Sequence, residues 1–283
     1  MKKFIVLILI LAIFALGGYY IVEYVSFEEL PEAVTEKTDK IIDLEHPETW
    51  KFAVIGDNEG VNDTSKKFIE EMKASDDELV VNVGDLVQNG EAREFKEMLT
   101  LYEELEIPWY PTLGNNDMGS VLDYDDTNYK KYVSEDLYYS FKYKNALFIV
   151  LDNANRNIGF DDEELAWLDK ELKNNTQDYT FIFFHKPFKM PLEEFFGDDE
   201  TPRSRKSNDK FVEIISKYHI DYVFAGHVHN YLSYSINEIP VIVTGGGGAA
   251  PQDILGGEQS AYYHYIEVII SNDEIDYKVM ELD

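Results

Sequence analysis

The sequence predicts an α/β domain built on parallel strands, and three observations predict it. Apolar runs of strand character alternate with stretches of helical spacing. Three successive runs stop at a glycine followed by Asp or Asn: Gly56-Asp57, Gly84-Asp85 and Gly114-Asn115. A later run from Asp221 to Ala225 stops at Gly226 and delivers His227 and His229 two residues apart. Repeated strand, polar loop and helix favour a parallel sheet. In such sheets the loops at the carboxyl ends of the strands gather at one site.

In order, Trp50 to Ile55 is the opening strand, and helical spacing follows from Thr64 to Lys73 with Asp63 as its expected cap. Leu79 to Val83 is a second strand, Glu91 to Glu106 a helix, and Trp109 to Leu113 a third strand leading into Gly114-Asn115-Asn116-Asp117. Tyr138 to Tyr143 and Leu147 to Leu151 form a hairpin turned at Lys144-Asn145. Asp161 to Lys173 is an amphipathic helix with Leu165, Leu168 and Leu172 on one face. Phe181 to Phe184 is a buried strand ending at His185, and Pro187 forbids its continuation. Residues 188–209 carry Arg203, Arg205 and Lys206 without clear periodicity, which reads as a solvated loop or a cover over substrate phosphate. A helix from Asp209 to Tyr218 is expected next, and Val241 to Thr244, Tyr262 to Ile270 and Ile275 to Glu281 complete the sheet. The run Gly245 to Gly248 lacks the Lys-Ser/Thr of a phosphate loop and reads as tight backbone packing beside the histidines.

Totals exclude several classes. The 283 residues carry a net charge of -30, with 55 acidic against 25 basic side chains. Most of this surface repels a nucleic-acid backbone, so no nucleic acid is expected as partner. There is no cysteine, which removes disulfides, thiolate metal sites and a cysteine nucleophile. Met1-Lys2-Lys3 precedes an apolar run from Phe4 to Val22, and roughly 20 such residues span a bilayer as a helix. Residues 1–23 are therefore expected to be a transmembrane signal-anchor helix, 24–48 an acidic tether, and 49–283 a catalytic domain outside the cytoplasm. Cleavage near Ala15-Leu16-Gly17, giving a secreted protein, is the alternative.

Collected from the strand ends, Asp57, Glu59, Asp85, Asn115, His185, His227 and His229 are carboxylate, amide and imidazole donors. Singly, Asp57 or Asp85 reads as turn chemistry. Together they suit a site in which one carboxylate is shared by two cations, roughly 3.5 to 4 Å apart, that neutralise a phosphate ester and acidify a bound water.

The ordered set Gly-Asp, Gly-Asp, Gly-Asn-x-Asp, His and Gly-His-x-His resembles the calcineurin-like metallophosphoesterase family, over residues 50–283. The resemblance implies two mixed β-sheets packed as a sandwich with flanking helices. It also implies one metal on Asp57, Glu59, Asp85 and His229 and another on Asp85, Asn115, His185 and His227. Two positions depart from the family's pattern, since Glu59 and Asn116 stand where it usually has histidine. Glu59 as a ligand would favour Mn or Fe over Zn, or it would equally hydrogen-bond a metal-bound water, and Asn116 cannot act as a general acid. The resemblance gives Asn116, Asp117 and His227 catalytic roles in hydrolysis of phosphomonoesters or phosphodiesters by a metal-bridging hydroxide. The alternative is a degenerate module that binds a small phosphorylated ligand without efficient turnover.

Overall fold

Alternation along β1 (Trp50–Ile55) sorts its side chains between two cores. Phe52 and Val54 enter one, while Ala53 and Ile55 enter another on the opposite face, as the two-residue period of a strand requires. The computed structural model describes residues 49–119, 124–191, 201–252, 262–271 and 274–282. The expected membrane anchor and tether lie outside these. Among the described residues no helix is long and apolar enough to cross a membrane.

After β1 come α1 (Asp63–Ala74), β2 (Val80–Asn82), α2 (Ala92–Tyr102), β3 (Trp109–Pro111) and α3 (Thr127–Tyr132). The chain continues with β4 (Tyr139–Tyr143), β5 (Ala146–Val150), α4 (Asp162–Lys173), β6 (Tyr179–Phe183) and α5 (Pro202–Ile215). It closes with β7 (Tyr222–Ala225), β8 (Tyr231–Ile236), β9 (Ile239–Thr244), β10 (His264–Ser271) and β11 (Glu274–Glu281). These strands form two mixed sheets, a five-stranded one ordered β11-β10-β1-β2-β3 and a six-stranded one ordered β4-β5-β6-β7-β9-β8. In the first, β1, β2 and β3 run parallel and β10 runs antiparallel to β1. In the second, β5, β6, β7 and β9 are parallel, and β4 and β8 are antiparallel edges.

The sheets face each other across an aromatic core. Phe52 from one sheet meets Phe148 at 5.1 Å and Phe181 at 5.0 Å from the other, both edge-on. Each such pair adds about 0.5–1.5 kcal/mol beyond area burial. The outer face of the first sheet packs on α1 and α2 through Phe68, Met72, Phe95 and Met98, and that of the second on α4 and α5 through Leu165, Leu168, Phe211 and Ile215. Because β5, β6 and β7 are covered on both faces, they read as continuous apolar runs.

Several elements differ from expectation. The cap of α1 is Asn62, whose side chain accepts from Ser65 N at 2.8 Å, rather than Asp63. Helix α5 begins at Pro202 and ends at Ile215, so the expected helix from Asp209 to Tyr218 starts too late. Arg203, Arg205 and Lys206 accordingly lie exposed on helical turns and not in a loop. The signal was present in Thr201-Pro202, an N-cap followed by proline at the first helical position. Strand β8 is an addition to the expected elements, since its half-exposed residues carry little apolar contrast.

Candidate metal centre

Five of the parallel strands lead at their carboxyl ends into chemically active side chains. β1 delivers Asp57 and Glu59, β2 delivers Asp85, β3 leads to Asn115 and Asn116, β6 to His185, and β7 to His227 and His229. Four of these turn the chain through the left-handed region: Asp57 at φ 58°, Glu59 at 49°, Asp85 at 54° and His227 at 68°. Non-glycine residues there cost of order 1–3 kcal/mol each and persist only where surroundings hold them, as at functional sites. Here Asp57 N donates to Gly84 O at 2.9 Å and Glu59 N to Asp85 O at 3.0 Å, which stitches the first two loops together.

The side chains converge. Asp85, His185 and His227 offer ligand atoms that all lie within 4.8 Å of one another, the one such group among the described residues. Asp85 Oδ2 is 3.3 Å from His185 Nε2, and Asn115 Oδ1 is 3.2 Å from the same nitrogen. A more open group lies beside it, with His229 Nε2 3.6 Å from both Asp57 Oδ1 and Glu59 Oε1. The two groups are linked because both oxygens of Asp57 accept from His227 N, at 3.0 and 2.8 Å.

The donors are arranged as cation ligands. His185 Nδ1 lies 2.8 Å from Val83 O, and His229 Nδ1 lies 3.3 Å from Ala250 O. A ring nitrogen donating to a carbonyl leaves the Nε2 lone pair free to ligate, as the outer partners of metal-bound imidazoles do. Asp57 and Asp85 are 0% and 1% exposed. Burial pushes the Asp57 carboxyl well above its ordinary range, partly relieved by His185, and burial raises Glu59 as well. Burial opposes protonation of His185, but the adjoining Asp85 and then Asp57 outweigh it and raise that imidazole to about 9. Burial and neighbouring His185 hold His227 well below its usual value. Three carboxylates packed together with imidazoles for company form a set that bound cations would satisfy.

Around the centre the backbone leaves no room to spare. A Cβ on Gly226 would stand 2.6 Å from Asp57 Oδ2, and one on Gly84, at φ 99°, 2.6 Å from His185 Nδ1. The glycine run supplies the floor, with Gly247 N donating to Gly56 O at 2.9 Å and Ala249 N to Asp57 O at 2.8 Å. Asp117 lies beneath rather than in the opening. It is fully buried and accepts from Gly114 N at 2.9 Å and Val87 N at 3.0 Å, and burial raises its carboxyl to about 8.

Three asparagines outside the ligand set support the centre. Asn153 accepts from His185 N at 3.2 Å and Lys186 N at 2.9 Å and donates to Lys186 O at 2.7 Å, which clasps the chain at the ligand. Asn58 and Asn82 pair at 2.6 Å below the first two loops, with Asn58 also donating to Gly247 O. Asn153 was findable, because Leu151-Asp152-Asn153 ends an apolar run in the manner of the other site residues.

The family model described as calcineurin-like phosphoesterase matches residues 51–231. The Arabidopsis thaliana protein named probable purple acid phosphatase 20 is 26% identical over 206 residues, covering 65% of this chain and 46% of its own. The Arcobacter nitrofigilis protein named probable glycerophosphodiester phosphodiesterase GpdQ is 26% identical over 180 residues, covering 58% and 61%. This chain thus spans about half the length of the curated relatives it matches. The solved structure of purple acid phosphatase PPD1 from yellow lupin superposes with a TM-score of 0.64 at 17% identity, over 82% of this chain and 52% of that one. That likeness is one of fold. The matched span takes in the loops from Asp57 to His229, and the chain belongs to the calcineurin-like phosphoesterase family.

Proposed function

We propose that the domain is a two-metal phosphoesterase. The observation that carries this reading is the convergence of Asp85, His185 and His227 within 4.8 Å, beside a second group built on His229, Asp57 and Glu59. Asp85, Asn115, His185 and His227 would hold one cation and Asp57, Glu59, Asp85 and His229 the other, with Asp85 shared. When bound, two divalent cations neutralise phosphate charge and acidify the attacking water. The oxygen-rich donor set favours Mn or Fe, with Zn as the alternative. His227 would orient the phosphate, Asp117 braces the Gly114 turn, and Asn116 donates a hydrogen bond but no proton. Relatives named as a purple acid phosphatase and a phosphodiesterase support the phosphate-ester class.

The test is metal analysis of the full-length protein together with turnover of an aryl phosphate and a bis-aryl phosphate. Activity with Mn or Fe, lost at least 100-fold in Asp85→Asn, is expected. A folded, metal-loaded sample without turnover under Mn, Fe, Zn, Co or Mg overturns it. Glu59 and Asn116 favour one rival, a module that binds a phosphorylated ligand without turnover, which fewer than two bound cations would support. We further propose an anchor at Phe4 to Val22, which would place the domain outside the cytoplasm. Release of the protein from membranes by alkaline carbonate would count against it.

A further inference from the structure

Glu59 and Asn116 touch each other: Asn116 Nδ2 donates to Glu59 Oε1 at 3.1 Å. The same asparagine is fixed on two other sides, its backbone N–H on Asp85 Oδ1 at 2.7 Å and its Oδ1 accepting from Asn115 Nδ2 at 2.9 Å. With its amide oxygen engaged, its NH2 group has one direction to face. Glu59 Oε1 is thereby held 3.6 Å from His229 Nε2, the distance that also separates this nitrogen from Asp57 Oδ1.

We propose that Asn116 is a positioning residue that holds Glu59 as a third carboxylate on the cation pair, and that the resulting charge balance selects phosphodiester monoanions over phosphomonoester dianions. The inference rests on the two-metal reading above. Asp57, Glu59 and Asp85 together bring three negative charges against the four of two divalent cations, and Asn115 and imidazoles that ligate as neutral rings bring none. The one positive charge left is cancelled by the hydroxide that attacks. A phosphodiester then adds a single negative charge to a neutral centre, whereas a phosphomonoester adds about 1.5 to 2 near neutral pH. The excess would sit beside carboxylates that are 0% and 1% exposed, where poor solvation makes like charges costly.

The experiment uses the full-length, Mn-loaded protein. It compares kcat/KM for a bis-aryl and an aryl phosphate, and measures binding of dimethyl phosphate and inorganic phosphate by calorimetry. Wild type is expected to favour the diester at least tenfold. Glu59→Gln should shift that ratio at least tenfold toward the monoester and tighten inorganic phosphate about tenfold relative to dimethyl phosphate. Asn116→Ala should move both readouts the same way by a smaller factor. A wild-type preference for the monoester, or a Glu59→Gln variant that shifts both anions equally, overturns the inference. If Glu59→Gln does not fold, the wild-type ratios decide alone. Absence of any turnover and of any anion binding overturns the two-metal reading itself, a different result from turnover with the opposite preference.

Discussion

Replacing Asp77 by asparagine should stabilise the protein at neutral pH. Asp77 lies just before β2, is 4% exposed, and neither of its carboxylate oxygens has a hydrogen-bond partner among the described residues. The nearby Ser75 hydroxyl is engaged with Met72 O at 3.1 Å. Burial, with Ser75 in partial opposition and Glu267 adding repulsion, raises the Asp77 carboxyl to about 6. A carboxylate raised in the folded state binds its proton more tightly folded than unfolded. Its ionisation therefore works against the fold, by nothing below about pH 4 and in full above about pH 7. The shift from 3.8 to about 6 corresponds to about 3 kcal/mol at most, at 1.36 kcal/mol per unit. An amide has the same shape and no charge, so Asp77→Asn should gain about 1–3 kcal/mol at pH 7.5 and nothing near pH 4. In melting temperature that is about 2–12 °C for a domain of this size. Thermal unfolding of both proteins from pH 4 to 7.5 measures it, and the difference between them cancels the titration of the rest of this acidic chain. A difference that stays constant across that range refutes the reasoning.

Other outcomes follow from the same geometry. Gly226→Ala should weaken metal binding while keeping the fold, since its methyl meets Asp57 Oδ2 at 2.6 Å; metal titration with a far-ultraviolet dichroism control reads this. Asn153→Ala leaves backbone groups of His185 and Lys186 without their partner, and should lower metal affinity about 10–100-fold as loss of outer support does; isothermal titration with Mn measures it. Phe52→Ala removes a ring touching Phe148 and Phe181 across the two sheets, and should cost about 3–5 kcal/mol in urea unfolding.

How far the sequence revealed this molecule depends on what each residue's signal was. Asp57, Asp85, Asn115, His185, His227 and His229 all end apolar runs, and the same runs become parallel strands whose ends share one edge, so their convergence was legible. Helix α5 was read too late because Arg203, Arg205 and Lys206 hid its first turns, although its buried positions Ser204, Ser207 and Asn208 keep a helical period in polar residues. Asn116 shows in the sequence only the proton it lacks. Its contact with Glu59 joins residues 57 positions apart, and no local pattern encodes such a pairing. Asn58 and Asn82 pair across 24 positions, a contact that likewise has no local pattern, whereas Asn153 ends an apolar run as the ligands do.

The antiparallel pairing of β1 with β10 sets Val54 opposite Ile266, so the strand that begins the domain is flanked on one side by a strand made long after it. A nascent chain emerging from the ribosome would hold Asp57 on a ribbon open along that side until residue 270 has left the exit tunnel. Such late closure of distant segments slows folding, and it means that a stretch stopping before β10, such as the span 51–231 matched by the family model, should grip metal less well than one that includes it.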